Sequence, residues 1–151
     1  RTNLGIWLPS LVFWLVHGMN PNAWASPWIG ANLFLAGVLL TLACHRSGNL
    51  WFPTTLHFMW NYAQGPIFGQ PVSGVDVGGV ARLEPVPGAS DWLTGGAFGP
   101  EASFPCFIVL VVSIAVFARI KPASPGSPQP LAADTAPAQL DSTPPSLETP
   151  N

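Results

Sequence analysis

The feature that most constrains this chain is a long stretch without charge. From Thr2 to His45 the sequence contains no Asp, Glu, Lys or Arg. Charged residues make up 8% of all 151, against about a quarter in ordinary soluble domains. A chain of this length has too small a core to hide so much apolar sequence from water. The sequence therefore predicts that lipid surrounds a large part of the chain.

Four apolar segments are near the length that a helix needs to cross hydrocarbon. They run from about Leu4 to Met19, Trp28 to Cys44, Leu50 to Phe68 and Phe104 to Ala118. In lipid a segment must satisfy its own backbone hydrogen bonds, and the run LFLAGVLLTLAC lacks the alternation of a barrel strand. We therefore predict an all-α, polytopic transmembrane bundle of about four membrane helices.

Composition divides the chain into two parts. Residues 1–121 form the predicted transmembrane domain, which includes a long Gly/Pro-rich loop from Gln70 to Ala102. From residue 122 to residue 151 the sequence is rich in Pro, Ser, Ala and Thr. Such a segment buries too little apolar area to offset the entropy of ordering, so a disordered C-terminal tail is expected.

The basic residues predict an orientation. If each apolar segment crosses once, one side receives all the basic residues that flank the helices, namely Arg1, Arg46, Arg119 and Lys121. The other side receives the mostly acidic Gln70–Ala102 loop. The positive-inside rule makes the first side cytoplasmic, so we expect an integral protein of a bacterial cell membrane with a cytoplasmic tail. The net charge of −2 gives no indication of nucleic acid, and the apolar segments make membrane lipid an expected partner.

Three polar residues lie inside otherwise apolar segments: His17, His57 and Asn61. Imidazole and carboxamide groups are costly in hydrocarbon, so such residues indicate a functional site. His57 and Asn61 are four residues apart in HFMWN and point from one helix face, the spacing by which one helix offers two ligands to an ion. His17 taken alone fits a hydrogen-bonded structural role equally well.

These residues carry a resemblance to a known family. Phe13 and His17 match an FxxxH motif, and His57 and Asn61 match a later HxxxN motif, in FWLVHGMNPN and SGNLWFPTTLHFMWNYAQGPIFGQPVSG. Both resemble the CPBP family of intramembrane proteases, which includes the CAAX prenyl endopeptidases and bacteriocin-processing members. The loop segment DWLTGGAFGPE, residues 91–101, also resembles one found in many bacterial members.

The resemblance implies metal-assisted hydrolysis of a peptide or protein substrate within the membrane. His17, His57 and Asn61 would be the catalytic and metal-binding residues, with a divalent metal to which zinc is suited without excluding others. Asn61 would act either as an amide donor toward developing negative charge or as an oxygen ligand. His17 lies near the end of its segment and His57 near the middle of its own, so the two side chains are expected at different depths in the membrane.

One departure from the family pattern is large. The family carries a Glu-Glu-xxx-Arg motif before the two histidine motifs, and this sequence has no Glu before Glu84. Without a general base the chain alone is expected to hydrolyse little, so we interpret it as a C-terminal piece of a longer protease. Two alternatives stay open: a catalytically silent immunity or scaffold protein of the same family, and a small transporter fragment with proton-relaying histidines.

Overall fold

Helices make up most of the computed structural model, which describes residues 4–122. Four helices of three turns or more are named here α1 (Leu4–His17), α2 (Pro27–Ser47), α3 (Trp51–Tyr62) and α5 (Phe104–Arg119), and a single turn forms α4 (Asp91–Thr94). Within residues 4–122 there is no β-strand, and only Val72 and Val75 form an isolated bridge. The all-α prediction is confirmed for this part of the chain.

Local sequence sets the helix ends. Ser26 caps α2 by accepting a hydrogen bond from the Trp28 N–H at 3.3 Å, and Pro27 occupies the first turn, where no N–H is needed. Gly48 ends α2 with a left-handed backbone conformation at φ 71°, and its N–H donates a hydrogen bond to the Cys44 carbonyl. Ser103 caps α5 in the same way as Ser26, through the Cys106 N–H.

Helix α2 lies at the centre, packed against α1, α3 and α5. The contact with α1 is closest at Gly37, where an added Cβ would lie 2.7 Å from the Ser10 Cα. Ser10 is fully buried there, and its hydroxyl donates to the Ile6 carbonyl at 2.7 Å. Small residues allow two helix backbones to approach in this way, a common device in membrane bundles.

The outer faces of the bundle are apolar. Large aliphatic and aromatic side chains on α1, α3 and α5 are exposed, among them Trp7, Leu15, Phe58, Val112 and Val116. A continuous apolar exterior of this kind is typical of a surface in contact with lipid. By length and composition, α2 alone among the described helices is long and apolar enough to span a membrane; α1 and α5 are apolar but shorter. The predicted set of four membrane helices is therefore not confirmed.

The segment after α3 folds back over one end of the bundle. A π-helical turn, Ala63–Ile67, ends α3, and two 3₁₀ turns, Gly96–Phe98 and Pro100–Ala102, lead into α5. Phe98 is 1% exposed and joins Ile29, Leu33 and Ala23 in the largest buried cluster of the described chain. The predicted loop is thus anchored to the helix ends, and this places its last residues beside α2 and α3. The predicted disordered tail, apart from Pro122, lies outside the described residues.

Candidate active site

The structure brings His17, His57 and Asn61 together. The rings of the two histidines have their centres 6.2 Å apart, and Asn61 Nδ2 lies 3.3 Å from His57 Nε2. The expected mismatch in depth between the histidines therefore does not occur. The first helix runs from beside His45, at the far end of α2, to His17, so its last turn reaches the middle of the short helix α3.

Backbone bonding orients His17. Its Nδ1 lies 2.7 Å from the Phe13 carbonyl, which can only accept, so Nδ1 carries the proton and Nε2 keeps a free lone pair. The Phe13 ring packs at 4.2 Å from the His17 ring and at 5.3 Å from the His57 ring, measured between centres. Phe13 and His17 of the FxxxH motif thus act as one unit, in which the phenylalanine holds both imidazoles in place.

The amide of Asn61 fixes the protonated nitrogen of His57 in a similar way. The Asn61 Nδ2 group can only donate, so His57 Nε2 accepts and its proton lies on Nδ1. The other amide atom, Asn61 Oδ1, is buried and has no hydrogen-bond donor among residues 4–122. A buried carbonyl oxygen without a donor is costly, so the amide of Asn61 is held beside His57 at a cost in stability.

The two histidines open into a cavity of about 210 Å³. Its walls are mainly aliphatic side chains of α2, α3 and α5, including Leu33, Leu40, Leu56, Val109 and Leu110. A small number of polar residues face the same space: His17, His57, Asn32, Ser73, Glu101 and Ser113. An apolar cavity with a few convergent polar groups is the usual form of a small-ligand or catalytic site.

Sequence reasoning missed Glu101 as a residue of this site. Its carboxylate accepts three hydrogen bonds: from the Trp60 indole N–H at 3.2 Å, from the Ser73 N–H at 2.6 Å and from the Ser73 hydroxyl at 2.8 Å. The sequence places Glu101 in the Gly/Pro-rich loop, and its partners lie 41 and 28 positions away, so no local spacing indicates the contact. The signal that pointed to it was the family-like segment DWLTGGAFGPE, which ends on Glu101.

Asn32 was also missed. It is 2% exposed on α2, and its amide nitrogen donates to the carbonyls of Glu101 and Ser103 at 2.7 and 2.8 Å. These two bonds fix the start of α5 against the centre of the bundle. An asparagine inside an apolar helix was a visible signal, but the run GANLFLAG offered no second polar residue at helical spacing to accompany it.

The predicted metal site can be tested against this geometry. A histidine nitrogen lies about 2.0–2.1 Å from zinc, so the ring centres of two ligating histidines are at most about 6.5 Å apart. The observed 6.2 Å falls just inside that limit. Residues 4–122 contain no cluster of three His, Cys, Asp or Glu side chains able to hold a metal. In the tautomer described above both nitrogens of His57 are engaged, Nδ1 by its proton and Nε2 by the Asn61 N–H. The pair therefore fits a metal only if Asn61 releases His57 Nε2 and if Asn61, water or another residue completes the ligand set.

One comparison with known proteins gives a match. The family model described as "Type II CAAX prenyl endopeptidase Rce1-like" matches residues 1–63. These residues contain α1, α2 and α3, and with them all three residues of the predicted site, but not Glu101 or α5. No curated protein and no solved structure gives a significant match to the chain.

The fold of residues 4–122 is helical, and the matching model describes a membrane-embedded protease family. Over residues 1–63 the chain is similar to the Rce1-like type II CAAX prenyl endopeptidases, and this supports the resemblance inferred from the FxxxH and HxxxN motifs.

Proposed function

We propose that the protein is an intramembrane metalloendopeptidase of the CAAX-protease type, with His17, His57 and Asn61 in its active site. The observation that carries this proposal is that His17 and His57 line one cavity, with Asn61 hydrogen-bonded to His57, from two helices that both lie in the family-matched region. Polar groups buried among apolar helices are expensive unless they serve a site, and here they face each other.

The chain's own residues have separate roles in this proposal. His17 presents Nε2 because its other nitrogen is bonded to the Phe13 carbonyl. His57 is held by Asn61, whose amide N–H is also placed to stabilise negative charge that develops on the peptide oxygen. A divalent metal such as zinc, when bound between the histidines, would polarise the scissile carbonyl and lower the pKa of bound water. The apolar walls would exclude bulk water and accommodate apolar parts of the substrate.

In this proposal the general base that activates water does not come from helices α1 to α3. No glutamate precedes Glu84, so helices α1 to α3 supply no carboxylate. Within the proposal, a Glu-Glu-xxx-Arg motif of the family type provides the base, and residues 1–151 alone are inactive. The second candidate, a catalytically silent relative that binds a peptide or partner helix, is favoured by this same lack of a carboxylate. Reading the upstream codons separates the two, because only the protease requires the motif.

The decisive experiment uses the full-length protein in proteoliposomes and a fluorogenic farnesylated CAAX peptide as the probe. We expect His57→Ala to abolish cleavage, since both the proposed metal ligand and the partner of Asn61 are lost. His45→Ala is the matched control, because His45 is an exposed histidine at the opposite end of α2. Full activity of folded, inserted His57→Ala would discard the site. Intact binding of the peptide by a wild-type protein that carries no Glu-Glu-xxx-Arg motif and cleaves nothing would favour the silent relative.

A further inference from the structure

Three parts of the chain meet at Glu101. Helix α3 reaches its carboxylate through the Trp60 indole, and the loop after α3 reaches it through the backbone and hydroxyl of Ser73. The third part is α2, where the amide of Asn32 donates to the Glu101 backbone carbonyl at 2.7 Å. Glu101 is therefore the point at which the segment before α5 is fastened to the two helices that surround the cavity.

Helix α3 has few other attachments on this side. It packs mainly against α2, and its contact with α5 at the opposite end is the aromatic pair Phe52 and Phe117, with ring centres 6.0 Å apart. Trp60 follows His57 by three positions and precedes Asn61 by one. A rotation of α3 about its axis that releases Trp60 from Glu101 also turns His57 and Asn61, because all three are on one rigid helical segment.

The bonding of the Glu101 carboxylate determines what it can do. Oε2 accepts two short hydrogen bonds and Oε1 accepts one, all from donors that the fold supplies. These three bonds hold the carboxylate in one orientation at the wall of the cavity that the histidines also line.

We propose that Glu101 is a positioning residue of the site: its bond to Trp60 sets the rotation of α3 that directs His57 into the cavity with Asn61 beside it, and its bonds to Ser73 hold the loop closed over that cavity. The part of this inference that concerns the reaction rests on the proposed proteolytic function. The structural part does not rest on that function, because it concerns only the position of the His57 ring after the Glu101 carboxylate has been removed.

The test compares Glu101→Gln with Glu101→Ala in the full-length protein labelled on histidine, so that the ring signals of His57 are followed by NMR. The carboxamide of Gln keeps an oxygen that accepts from Trp60, whereas Ala removes both arms of the interaction. We expect Glu101→Ala to displace the His57 signals and Glu101→Gln to leave them close to their wild-type positions. The signals of His45 are the internal control and stay unchanged in both variants.

Kinetics on the farnesylated peptide give the second readout. A catalytic group displaced by about 1 Å costs up to about a hundredfold, so we expect kcat of Glu101→Ala to fall about tenfold to a hundredfold with KM little changed. Glu101→Gln should stay within about threefold of wild type. Trp60→Phe, which deletes only the indole donor, should lower kcat in the same direction as Glu101→Ala, and the two changes combined should cost less than the sum of their separate effects.

Specific results would overturn the inference. If the His57 signals do not move in Glu101→Ala, the residue does not position α3. If Glu101→Gln loses as much kcat as Glu101→Ala while His57 stays in place, Glu101 takes part in the chemistry itself. Should Glu101→Ala not fold, Trp60→Phe carries the same comparison with the carboxylate intact. A wild-type protein that cleaves nothing refutes the proposed function, and the NMR comparison then still decides the positioning role.

Discussion

Three polar side chains of the cavity have orientations imposed by neighbours. His17 is fixed by a backbone carbonyl, His57 by Asn61 and Glu101 by Trp60 and Ser73. Fixed donors and acceptors stabilise charge better than mobile ones, because no reorganisation is needed when the charge appears. The two histidines are nevertheless near the upper separation for a shared metal, so a tetrahedral centre requires their rings to approach by about 1 Å.

Asn61 gives the most specific prediction at the scale of a residue. Asn61→Leu preserves size but removes both the donor to His57 and the unpartnered oxygen. If the amide stabilises the developing oxyanion, kcat on the farnesylated peptide should fall about a hundredfold to a thousandfold with KM nearly unchanged. Tyr62→Leu is the matched control, an exposed neighbour on α3 that does not line the cavity. A rise in KM at constant kcat would instead assign Asn61 to substrate binding.

The sequence located part of this site and not the rest, for a physical reason. His57 and Asn61 share a helix, so their spacing alone put them on one face. His17 lies on another helix, and its distance from His57 and Asn61 depends on how α1 packs relative to α3. The residues around His17 in the sequence do not determine that packing. Glu101 depends on three tertiary contacts with partners distant in sequence, and a carboxylate in a Gly/Pro-rich loop is usually solvated.

At the scale of elements, apolar runs between breakers predicted the four long helices well. The observed bounds of α2 and α5 lie within a few residues of the predicted ones, because Pro27, Gly48 and Ser103 act through local backbone chemistry. The third segment, predicted over Leu50–Phe68, is also helical over nearly its whole length, but α3 passes at Ala63 into a π-helical turn, Ala63–Ile67. Pro66 lies within this turn and lacks the N–H that an α-helical hydrogen bond needs.

The closest helix contact, between α1 and α2, can be tested by a pair of glycine substitutions. Gly37→Ala places a methyl group 2.7 Å from the Ser10 Cα, and backbone cannot give way as a side-chain end does, so we expect a loss of about 1–3 kcal/mol. Gly5→Ala is the control, because its nearest neighbour is the His45 ring at 3.7 Å and alanine favours helix. Thermal unfolding in detergent measures both. Equal stability of the two variants would contradict the packing of α1 against α2.

At the scale of the whole molecule, the ends of the helices sort onto two faces. Arg46 at the end of α2 donates to the Ala118 carbonyl at the end of α5, with 3.0 Å between the atoms. Gly5, at the start of α1, lies beside His45 on the same face. The opposite face holds the loop between α3 and α5, whose charged residues are acidic except for Arg82. The packing therefore agrees with the predicted separation of the basic helix ends from the acidic loop. Which of the two faces is cytoplasmic remains a prediction.

Cysteine labelling in intact cells tests that prediction. On a background of Cys44→Ser and Cys106→Ser, the three probes are Leu50→Cys, Val80→Cys and Lys121→Cys; Leu50 is 73% and Val80 97% exposed. Since basic flanks are retained in the cytoplasm, an impermeant maleimide should label Val80→Cys from outside and reach the other two only after permeabilisation. The reverse labelling pattern would agree with the same fold but would show that the protein is inserted in the opposite orientation. Labelling of Leu50→Cys and Lys121→Cys from opposite sides would contradict the shared face itself, and with it the arrangement of α2, α3 and α5 that forms the cavity.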